Sequence, residues 1–495
     1  MTKITRRTLL IGSAGVTGAL TVGGLAGCGR SSTAVGAGSA AVLSAEAARQ
    51  PTGQRVVTTQ LTPRSATVDL GGVTVSTWAY GESVPGPLLR ASAGDLLRVA
   101  VTNTLPAPTS VHWHGIALRN DMDGVPGITQ RPIDPGARFT YDFTAPDPGT
   151  YFYHPHSGVQ LDRGLHGVLV IDDPHEPGHY DQEWIVVLDD WIDGTSTTPD
   201  QVLKKLQTSN AGGGMGGMGG MSGMSETMQS PLLGGAGDIA YPHYLINGRI
   251  PTSPVTLSGK PGQRVRMRVI NAGSDTAFRL ALGGHRMTVT HTDGYPVQPA
   301  DTDAVLIGMG ERFDVLVTLA DGAFPLVASA EGKNGQGMAV VRTSPAAAAP
   351  AAAATPAELT GRVMLGTDLL AAASSLLPDR DVDTTHDLVL GGSMAGYRWT
   401  LNGKSFPDTD PLEVQEGQRV RLRFSNQTMM FHPMHVHGHT FALSAGGARK
   451  DTVIVRPMQT LEVDLQADNP GQWATHCHNI YHAEAGMMTT LSYRT

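Results

Sequence analysis

The sequence predicts an all-β protein built from three β-sandwich domains, and three observations favour this fold class. The chain has 495 residues, which is too long for a single hydrophobic core. Glycine (61) and proline (32) are abundant, and short apolar runs alternate with turn residues, as in proteins made of many short strands. A strand-like segment also recurs along the chain, which indicates repeated domains.

The recurring segment begins with glycine, continues as an alternating strand and ends with asparagine. Its copies are GDLLRVAVTN at residues 94–103, GQRVRMRVIN at 262–271 and GQRVRLRFSN at 417–426. An Asn-Gly turn precedes the second and third copies by the same distance. Because alternating strands with frequent turns suit β-sandwiches, we predict three homologous domains with boundaries at residues 51–178, 179–344 and 358–495.

Three low-complexity segments are predicted to lie outside the sandwich cores. Residues 28–50 are rich in Gly, Ser and Ala and indicate a flexible tether. Residues 345–357 are almost entirely Ala and Pro and indicate an interdomain linker. Residues 212–228 are rich in Gly and Met and predict a mobile loop within domain two.

The first 27 residues indicate an export signal, because Lys3, Arg6 and Arg7 precede an uncharged apolar stretch. The segment TRRTLL resembles a bacterial twin-arginine signal, and LAGC, which ends at Cys28, resembles a lipobox whose cysteine is lipidated. The alternative is a chance arginine pair and a signal cleaved without lipid. The first interpretation predicts a lipoprotein anchored to the outer face of the cytoplasmic membrane, in the cell envelope or periplasm.

Charge and cysteine content exclude other classes. The formal net charge is −8 and becomes −11 without the three positive charges of the signal, which argues against nucleic-acid binding. No other stretch is long and apolar enough to span a bilayer. The chain has two cysteines, so lipidation of Cys28 leaves Cys477 without a disulfide partner.

Histidine is strongly clustered, because ten of the 18 histidines lie in four short segments. On a β-strand, residues i and i+2 point to the same face, so a His-x-His pair presents two imidazoles side by side, as a metal site requires. The four segments hold His112 and His114; His154 and His156; His432, His435 and His437; and His476, His478 and His482.

The repeats place these pairs relative to one another. His112 and His435 each lie 18 residues after the glycine that opens their repeat. The second pairs begin at His154 and His476, and a Pro-Gly step precedes both. Domain two has no pair at its equivalent positions, so we expect eight imidazoles to meet between domains one and three. Eight nitrogens are too many for one ion and suit three copper ions, although imidazole also suits zinc and iron.

Cys477 supplies the second signal for copper. It alternates with His476 and His478, so its sulfur faces away from the eight imidazoles. The available residues on that side, His432, His482 and Met487, complete the ligand set of a blue-copper electron-transfer centre with a weak axial methionine. An electron at that centre would cross one peptide unit to reach the cluster. The alternative is a buried structural cysteine amid unrelated histidines.

At these residues the sequence resembles the three-domain multicopper oxidases, the family of laccases and bacterial copper-resistance oxidases, and it is most similar to the actinobacterial copper-resistance lipoproteins. The resemblance covers about residues 50–495. It implies three cupredoxin-like sandwiches and four copper ions, with dioxygen reduced to water at a trinuclear cluster. His439 lies outside the family pattern, and we expect it to have a structural role or to support a ligand. The implied ligands are His432, Cys477, His482 and Met487 for type 1 copper, His112 and His435 for type 2, and His114, His154 and His478 with His156, His437 and His476 for the type 3 pair.

The family also uses carboxylates to deliver protons to the oxygen site. Asp123 matches the carboxylate that the family places near type 2 copper, although an aspartate before a glycine also suits a simple turn. Several bacterial relatives carry a glutamate directly after the equivalent of His482, where this chain has Ala483 followed by Glu484. Glu484 is therefore a candidate proton donor displaced by one position.

Methionines indicate the reductant, because thioethers are soft ligands that select Cu(I). Met430 matches a position beside the substrate Cu(I) site of bacterial cuprous oxidases, although Thr428 replaces an acidic residue of that site. The Gly-rich loop adds five methionines, namely Met215, Met218, Met221, Met224 and Met228. The alternative is that low complexity alone produced this Gly/Met tract.

The leading hypothesis is a monomeric, membrane-tethered cuprous oxidase that converts Cu(I) to Cu(II) for copper detoxification, with dioxygen as the acceptor. An axial methionine at 487 favours a moderate rather than a very high potential. The enzymatic alternative is a laccase-like oxidase of phenols or aromatic amines. A third hypothesis is a copper-sequestering lipoprotein without enzymatic activity.

Overall fold

The computed structural model describes residues 33–176, 178–209, 228–444 and 446–495. Strands dominate these residues, and the helices among them are α1 (Ala40–Arg49), α2 (Pro199–Ser209) and α3 (Ile480–Glu484). No described helix is long and apolar enough to cross a membrane. The predicted export signal, Cys28 and four loop methionines lie outside the described residues, the methionines being Met215, Met218, Met221 and Met224.

Domain one is formed by nine strands and two short 3₁₀ turns, Asn120–Met122 and Gln160–Arg163. Its strands are β1 (Val56–Leu61), β2 (Pro63–Asp69), β3 (Thr74–Tyr80), β4 (Gly86–Ser92), β5 (Leu96–Thr102), β6 (His112–His114), β7 (Arg138–Thr144), β8 (Gly149–His154) and β9 (Gly167–Asp172). They form sheets in the orders β1-β5-β7 and β4-β9-β8-β6, and the hairpin β2-β3.

Domain two is built on two six-stranded sheets. Its strands are β10 (Gln182–Trp191), β11 (Gln229–Ser230), β12 (Gly234–Gly235), β13 (His243–Ile246), β14 (Thr256–Ser258), β15 (Arg264–Asn271), β16 (Phe278–Leu282), β17 (Met287–Thr292), β18 (Tyr295–Thr302), β19 (Ala304–Ile307), β20 (Arg312–Thr318), β21 (Ala323–Ala330), β22 (Gln336–Arg342) and β23 (Val363–Met364). The sheet orders are β13-β10-β15-β20-β17-β18 and β14-β22-β21-β16-β19-β23, and β11 pairs with β12.

Domain three repeats this plan, after 3₁₀ turns at Ala357–Thr360, Gly366–Asp368 and Ala373–Ser375. Its strands are β24 (Thr384–Ser393), β25 (Arg398–Leu401), β26 (Leu412–Val414), β27 (Arg419–Asn426), β28 (His432–Val436), β29 (Phe441–Leu443), β30 (Arg449–Lys450), β31 (Thr452–Val455), β32 (Thr460–Gln466), β33 (Gln472–Cys477) and β34 (Met488–Tyr493). The sheet orders are β25-β24-β27-β32-β29-β30 and β26-β34-β33-β28-β31.

The strands of the sequence repeat, β5, β15 and β27, hold the same position in each domain. Each pairs in parallel with one neighbour and antiparallel with the other. The glycines that open the repeats have φ of 88°, 80° and 89°, a region that glycine enters without steric cost. The closing asparagines each donate a side-chain amide to main-chain carbonyls. The prediction of an all-β chain with three sandwich domains is confirmed.

Trp113 and Trp473 are fully buried in domains one and three, and Trp191 is fully buried where domain two packs on strands β2 and β3 of domain one. Trp113 lies between His112 and His114 on β6. Since alternate residues of a strand face opposite sides, packing of this indole into the core turns both flanking imidazoles toward the outer face of the domain.

Residues 34–49 do not form the flexible tether that their composition predicts. Helix α1 buries Val42 and Glu46, which are 2% and 3% exposed. The Glu46 carboxylate accepts a hydrogen bond of 2.9 Å from the main-chain N–H of Thr144 in domain one. The tether prediction is wrong for this segment because its alanines, leucine and glutamate favour a helix whose apolar side can pack on the domain.

The segment between domains two and three differs from the predicted boundary. The Ala/Pro segment runs as turns, and the Gln336 side chain donates to the carbonyls of Ala352 and Ala354. Beyond it, β23 pairs with β19 of domain two. The sheet of domain two therefore extends past residue 358, because the chain adds an edge strand before it reaches β24 at Thr384.

Candidate metal centres

Two equivalent strand pairs hold the predicted histidines. In domain one, His112 on β6 lies opposite His154 on β8. In domain three, His435 on β28 lies opposite His476 on β33. The same cross-strand pairing in both domains follows from the matching repeats, and it turns two sets of imidazoles toward the interface between these domains.

The structure brings all eight interface imidazoles together, and we refer to them as the histidine cluster. Within each of three groups, one ring nitrogen per residue lies within 4.8 Å of the others, which suits a shared metal ion. The groups are His112, His114 and His435; His114, His154 and His478; and His156, His437 and His476.

The protonation state of the cluster suits metal binding. Burial lowers the pKa of His114, His154 and His478 well below the ordinary histidine value, and neighbouring imidazoles lower it further. The same causes lower the pKa of His476 to about 3. Neutral imidazoles keep the lone pair that a metal requires.

Unpaired ring nitrogens also fit a metal. A buried polar atom without a partner costs about 1–3 kcal/mol, so a group of such atoms indicates a missing ligand. Within the described residues, the ring nitrogens that have no hydrogen-bond partner include His112 Nε2, His114 Nδ1, His154 Nε2 and His435 Nε2.

Asp123 contacts the cluster from domain one. Its main-chain carbonyl lies 2.8 Å from Nδ1 of His112, and its carboxylate lies 3.0 Å from Nδ1 of His437 in domain three. Asp123 is fully buried. The interpretation as a simple turn aspartate is therefore insufficient, because Asp123 contacts one cluster ring through its main chain and another through its side chain.

Asp451 plays the corresponding part from domain three. Its main-chain carbonyl lies 2.9 Å from Nδ1 of His435, and its carboxylate lies 3.2 Å from Nε2 of His114 in domain one. Burial alone would raise the pKa of Asp451, but the guanidinium of Arg312 outweighs burial and holds the pKa well below its usual range. Asp451 therefore stays ionised behind the two imidazoles.

His439 stands apart from the cluster, as expected. Its Nε2 lies 2.6 Å from the Tyr493 hydroxyl and its Nδ1 lies 3.1 Å from the carbonyl of His437. Both ring nitrogens are thus occupied, and the residue supports the backbone of a cluster histidine.

A second candidate centre lies within domain three, on the other face of β33. The sulfur of Cys477 lies 3.6 Å from Nδ1 of His432 and 3.7 Å from Nδ1 of His482. The two Nδ1 atoms are 3.2 Å apart. Burial raises the pKa of the Cys477 thiol, so its thiolate requires a bound cation nearby. The donor set of one sulfur and two imidazoles fits copper.

Met487 lies beside this centre. Its side chain is fully buried, and its main-chain carbonyl accepts a hydrogen bond of 3.1 Å from the N–H of Cys477. The short turn of α3 between His482 and Met487 thus returns the chain to the cysteine strand. This position suits the predicted axial ligand.

The two imidazoles of this centre are fixed on their far sides. Nε2 of His432 lies 2.9 Å from the Thr428 hydroxyl. Nε2 of His482 lies 2.9 Å from the carboxylate of Asp238, a residue of domain two. These contacts leave the Nδ1 atoms free to face the cysteine, which is how outer contacts select the metal-binding nitrogen.

Glu484 lies at the end of α3, where it borders a narrow cavity of about 20 Å³. The cavity is large enough for one water-sized molecule. The residue Glu484 is exposed, but the surrounding protein desolvates its carboxyl group and so raises the pKa of Glu484 to about 7. The opposite wall of the cavity is formed by four cluster histidines, His154, His156, His476 and His478.

Two of the predicted substrate methionines lie in adjacent segments. Met228 is buried at the point where the described chain resumes, and its carbonyl accepts from Ala236. Gly235 donates to the carbonyl of Met429 over 2.9 Å and forms a bridge with Met430. The segment that leaves the Met-rich loop is therefore bound to the turn that carries Met430.

The sequence did not indicate three functional residues, namely Asp238, Asp451 and Arg312. Each contacts, in a domain other than its own, a ligand or a residue that holds one. Their spacing follows no motif that resembles a metal site, so only the folded chain reveals them.

Comparisons with known proteins agree with this geometry. Family models described as multicopper oxidase match residues 62–176, 182–346 and 380–495. Multicopper oxidase MmcO of Mycobacterium tuberculosis (strain ATCC 25618 / H37Rv) is 54% identical over 479 residues, which cover 95% of this chain and 94% of that protein. A copper resistance protein A homolog of Pseudomonas syringae pv. tomato is 30% identical and covers 88% of this chain and 92% of its own. The crystal structure of laccase from Botrytis aclada has a TM-score of 0.74 at 26% identity, with coverage of 89% and 88%.

The fold and the two centres, together with these similarities, define a copper-binding oxidoreductase that uses dioxygen as its electron acceptor. The chain belongs to the multicopper oxidase family, and its three domains are cupredoxin-like. The hypothesis of a sequestering lipoprotein without enzymatic activity is not supported.

Proposed function

We propose that this enzyme is a cuprous oxidase that protects the cell from copper. Four copper ions, when bound, supply the one-electron oxidation of the substrate and the four-electron reduction of dioxygen to water. The type 1 ion would be held by His432, Cys477, His482 and Met487, and the type 2 and type 3 ions by the histidine cluster.

Cys477 connects the two centres through the chain itself. Its thiol belongs to the centre formed with His432 and His482, whereas the adjacent His476 and His478 belong to the cluster. One peptide unit on either side separates the two functions. The strand therefore supplies a covalent electron route that requires no additional residue.

The observation that carries the choice of substrate is that the turn containing Met430 contacts His432, a ligand of the proposed type 1 site. The Thr428 hydroxyl lies 2.9 Å from Nε2 of His432 and also accepts from the N–H of Met430. The thioether of Met430 thus belongs to a residue two positions before a ligand histidine, and Gly235, in the segment that follows the Met-rich loop, forms a bridge with Met430. Soft thioethers select Cu(I).

Exposed methionines extend this region to the surface. Met429 is 72% exposed and Met458 is 70% exposed, more than any other large hydrophobic side chain of the described chain. The amide of Asn426 donates to the carbonyls of Met430 and Arg456, which ties the loops of the two exposed methionines together. This surface suits the capture of a small soft cation.

The enclosed imidazoles weigh against a laccase-like role, even though laccases are among the similar proteins. His432 and His482 are both fully buried. Their outer nitrogens contact Thr428 and Asp238. A phenol or aromatic amine therefore has no exposed imidazole edge to contact, whereas the exposed methionines can bind a small soft ion at the surface.

Two carboxyl groups are suited to proton delivery. Asp123 contacts rings from two of the cluster groups, and Glu484 borders the cavity that reaches the cluster from α3. Reduction of dioxygen to water consumes protons, so carboxyl groups beside the cluster have a direct use in proton transfer.

The test compares oxygen consumption with Cu(I), Fe(II) and a simple phenol on one fully copper-loaded preparation. We expect the highest kcat/KM with Cu(I). Removal of residues 212–228 and, separately, Met430→Leu should raise the KM for Cu(I) by about tenfold and leave the phenol rate unchanged. Met267→Leu, in the buried core of domain two, is the matched control. Absence of Cu(I) oxidation by the intact enzyme, or rapid phenol turnover without added copper, would reject the proposal.

The cellular setting is part of the same proposal. The enzyme is exported through a twin-arginine signal, is anchored to the outer face of the cytoplasmic membrane by lipidated Cys28 and acts as a monomer. Cys28→Ala should release active enzyme from the membrane fraction, and light scattering of the released protein should give one chain per particle. Retention of the Cys28→Ala variant in the membrane fraction would contradict the anchor.

A further inference from the structure

Domain two reaches the histidine cluster although it supplies none of its imidazoles. A Cβ added at Gly310 would lie 2.9 Å from Cδ2 of His478 and 3.0 Å from Cε1 of His114. The main chain of the segment between β19 and β20 therefore lies directly on these two rings. No larger residue fits there without displacing a ring.

Arg312, two residues further on, is fully buried and joins all three domains. Its Nη1 and Nη2 donate to the two carboxylate oxygens of Asp451 in domain three over 2.7 and 2.6 Å. Its Nε donates to the carbonyl of Thr150 in domain one over 3.0 Å. The planar guanidinium makes this bidentate contact in one orientation only.

Gly115, which directly follows His114, leaves space for this ion pair. A Cβ added at Gly115 would overlap Nη2 of Arg312 and would lie 2.6 Å from the Asp451 carboxylate. His112 and His114 thus belong to the cluster, and the absence of a side chain at Gly115 leaves the space that Arg312 of domain two occupies.

Asp451 and Thr452 orient one histidine from each flanking domain. Nε2 of His114 lies 3.2 Å from the Asp451 carboxylate and 3.1 Å from the Thr452 hydroxyl. Nδ1 of His435 lies 2.9 Å from the Asp451 carbonyl and 3.0 Å from the same hydroxyl. The opposite nitrogens, Nδ1 of His114 and Nε2 of His435, have no partner among the described residues.

Asp293, a second residue of domain two, binds the main-chain N–H groups of residues 451–452. The Asp293 carboxylate accepts from the N–H groups of Asp451 and Thr452, each over 3.2 Å, and from the N–H of Arg312 over 2.8 Å. It also lies 3.0 Å from Nζ of Lys450. Side chain and main chain at positions 451–452 are therefore both fixed by domain two.

We propose that Arg312 is a positioning residue for the oxygen-reducing cluster, through which domain two sets the metal-binding nitrogens of His114 and His435. The inference rests on the proposed role of these histidines as copper ligands. Asp123, the counterpart of Asp451 in domain one, makes the same kind of contacts, but its ion-pair partners within the described residues are histidines only. The two aspartates therefore differ in their partners: the Asp451 carboxylate is paired with the guanidinium of Arg312, whereas the Asp123 carboxylate has no such cation among the described residues.

The test is Arg312→Lys, which keeps the positive charge and removes the bidentate geometry. We expect the affinity for type 2 copper to fall about 10- to 100-fold, as when the outer contact of a metal-binding histidine is lost. The electron paramagnetic resonance signal of type 2 copper should broaden or shift, while the blue absorbance of the type 1 centre stays unchanged. Copper per chain and the spectrum are both measured without substrate.

Arg266→Lys is the matched control, because Arg266 is a buried arginine of the same domain. It is 3% exposed and pairs with Asp314 over 2.5 Å, with no contact to a cluster histidine. A general loss of stability would affect both variants equally, whereas a positioning role changes the type 2 spectrum only in Arg312→Lys.

Thr452→Val provides a second route if Arg312→Lys does not fold. It removes the hydroxyl that contacts both imidazoles and should alter the type 2 signal in the same direction. A normal copper content with an unchanged type 2 spectrum in the folded variants would overturn the proposal. Because no reductant is used, this outcome is independent of whether Cu(I) or a phenol is the substrate.

Discussion

The carboxylate of Asp123 in domain one lies 3.0 Å from Nδ1 of His437 in domain three. The same residue lies 2.8 Å through its carbonyl from Nδ1 of His112 in its own domain. One aspartate therefore touches rings from both halves of the histidine cluster. The contact explains how a carboxyl can act on the cluster without being a ligand.

Asp123→Asn should separate proton delivery from positioning. The amide oxygen can still accept from His437, so copper content should stay near normal. The amide cannot donate a carboxyl proton, so oxygen consumption should fall about 100-fold, the lower end for loss of a general acid. Oxygen consumption and copper per chain are measured on the same sample.

Asp121→Asn is the control for this prediction. Asp121 lies two residues away, is paired with Arg119 over 2.8 Å and has no contact with a cluster histidine. We expect normal turnover. Normal turnover in Asp123→Asn as well would show that Asp123 delivers no protons.

The sequence predicted the parts of the site that depend on local periodicity. The equal spacing of His112 and His435 from their repeat glycines predicted equivalent strand pairs, and β6 and β28 are those strands. Alternation along β33 predicted that Cys477 faces away from its neighbouring histidines, as it does. These features could be predicted because the side-chain period of a strand is fixed.

Contacts between domains could not be predicted in this way. Asp238 and Arg312 come from domain two. Because this domain lacks histidine pairs, its sequence contained no indication of residues that contact the metal centres. Their roles depend on how sandwiches dock, and docking leaves no periodic signal in the chain. The helix α1 was missed for a different reason, because a composition rich in Ala and Ser suits a tether as well as a short helix.

Cys477→Ser should remove both the blue absorbance and turnover. An oxygen ligand replaces the soft thiolate, so the type 1 centre loses the bond that gives its colour and its electron route. The histidine cluster should remain loaded, since the substitution leaves the neighbouring His476 and His478 in place. Visible absorbance, copper per chain and oxygen consumption check this, and retained turnover would refute the covalent route.

Asp238 should lower the reduction potential of the type 1 centre. Its carboxylate lies 2.9 Å from Nε2 of His482, and a negative charge there stabilises the more positive, oxidised state. Asp238→Asn should therefore raise the potential by tens of millivolts, measured by redox titration of the blue absorbance.

Tyr397→Phe tests the same charge with the opposite sign. The Tyr397 hydroxyl donates to the Asp238 carboxylate over 2.6 Å and spreads its negative charge. Without this hydrogen bond the charge acts more fully on His482, so the potential should fall. Shifts in the same direction for both variants would contradict an electrostatic effect of Asp238.

Glu484→Gln should slow oxygen consumption at least tenfold if protons enter along the cavity beside α3. The KM for Cu(I) should not change, because the carboxyl borders the cluster histidines rather than the methionine surface. Glu413→Gln, on β26 with a side chain 56% exposed, is the control. An unchanged rate in Glu484→Gln would assign proton delivery to Asp123 alone.

The helix α1 should contribute to the stability of the body, contrary to a tether. Val42→Ala removes two methyl groups from a side chain that is 2% exposed and should lower the free energy of unfolding by about 2 kcal/mol. Leu43→Ala, on the same helix at 48% exposure, should change it by less than about 0.5 kcal/mol. Urea unfolding of the copper-free protein measures both, since bound copper would add its own stabilisation. Equal effects would mean that α1 does not pack on the domain in solution, and the segment would then act as the tether that its composition suggested.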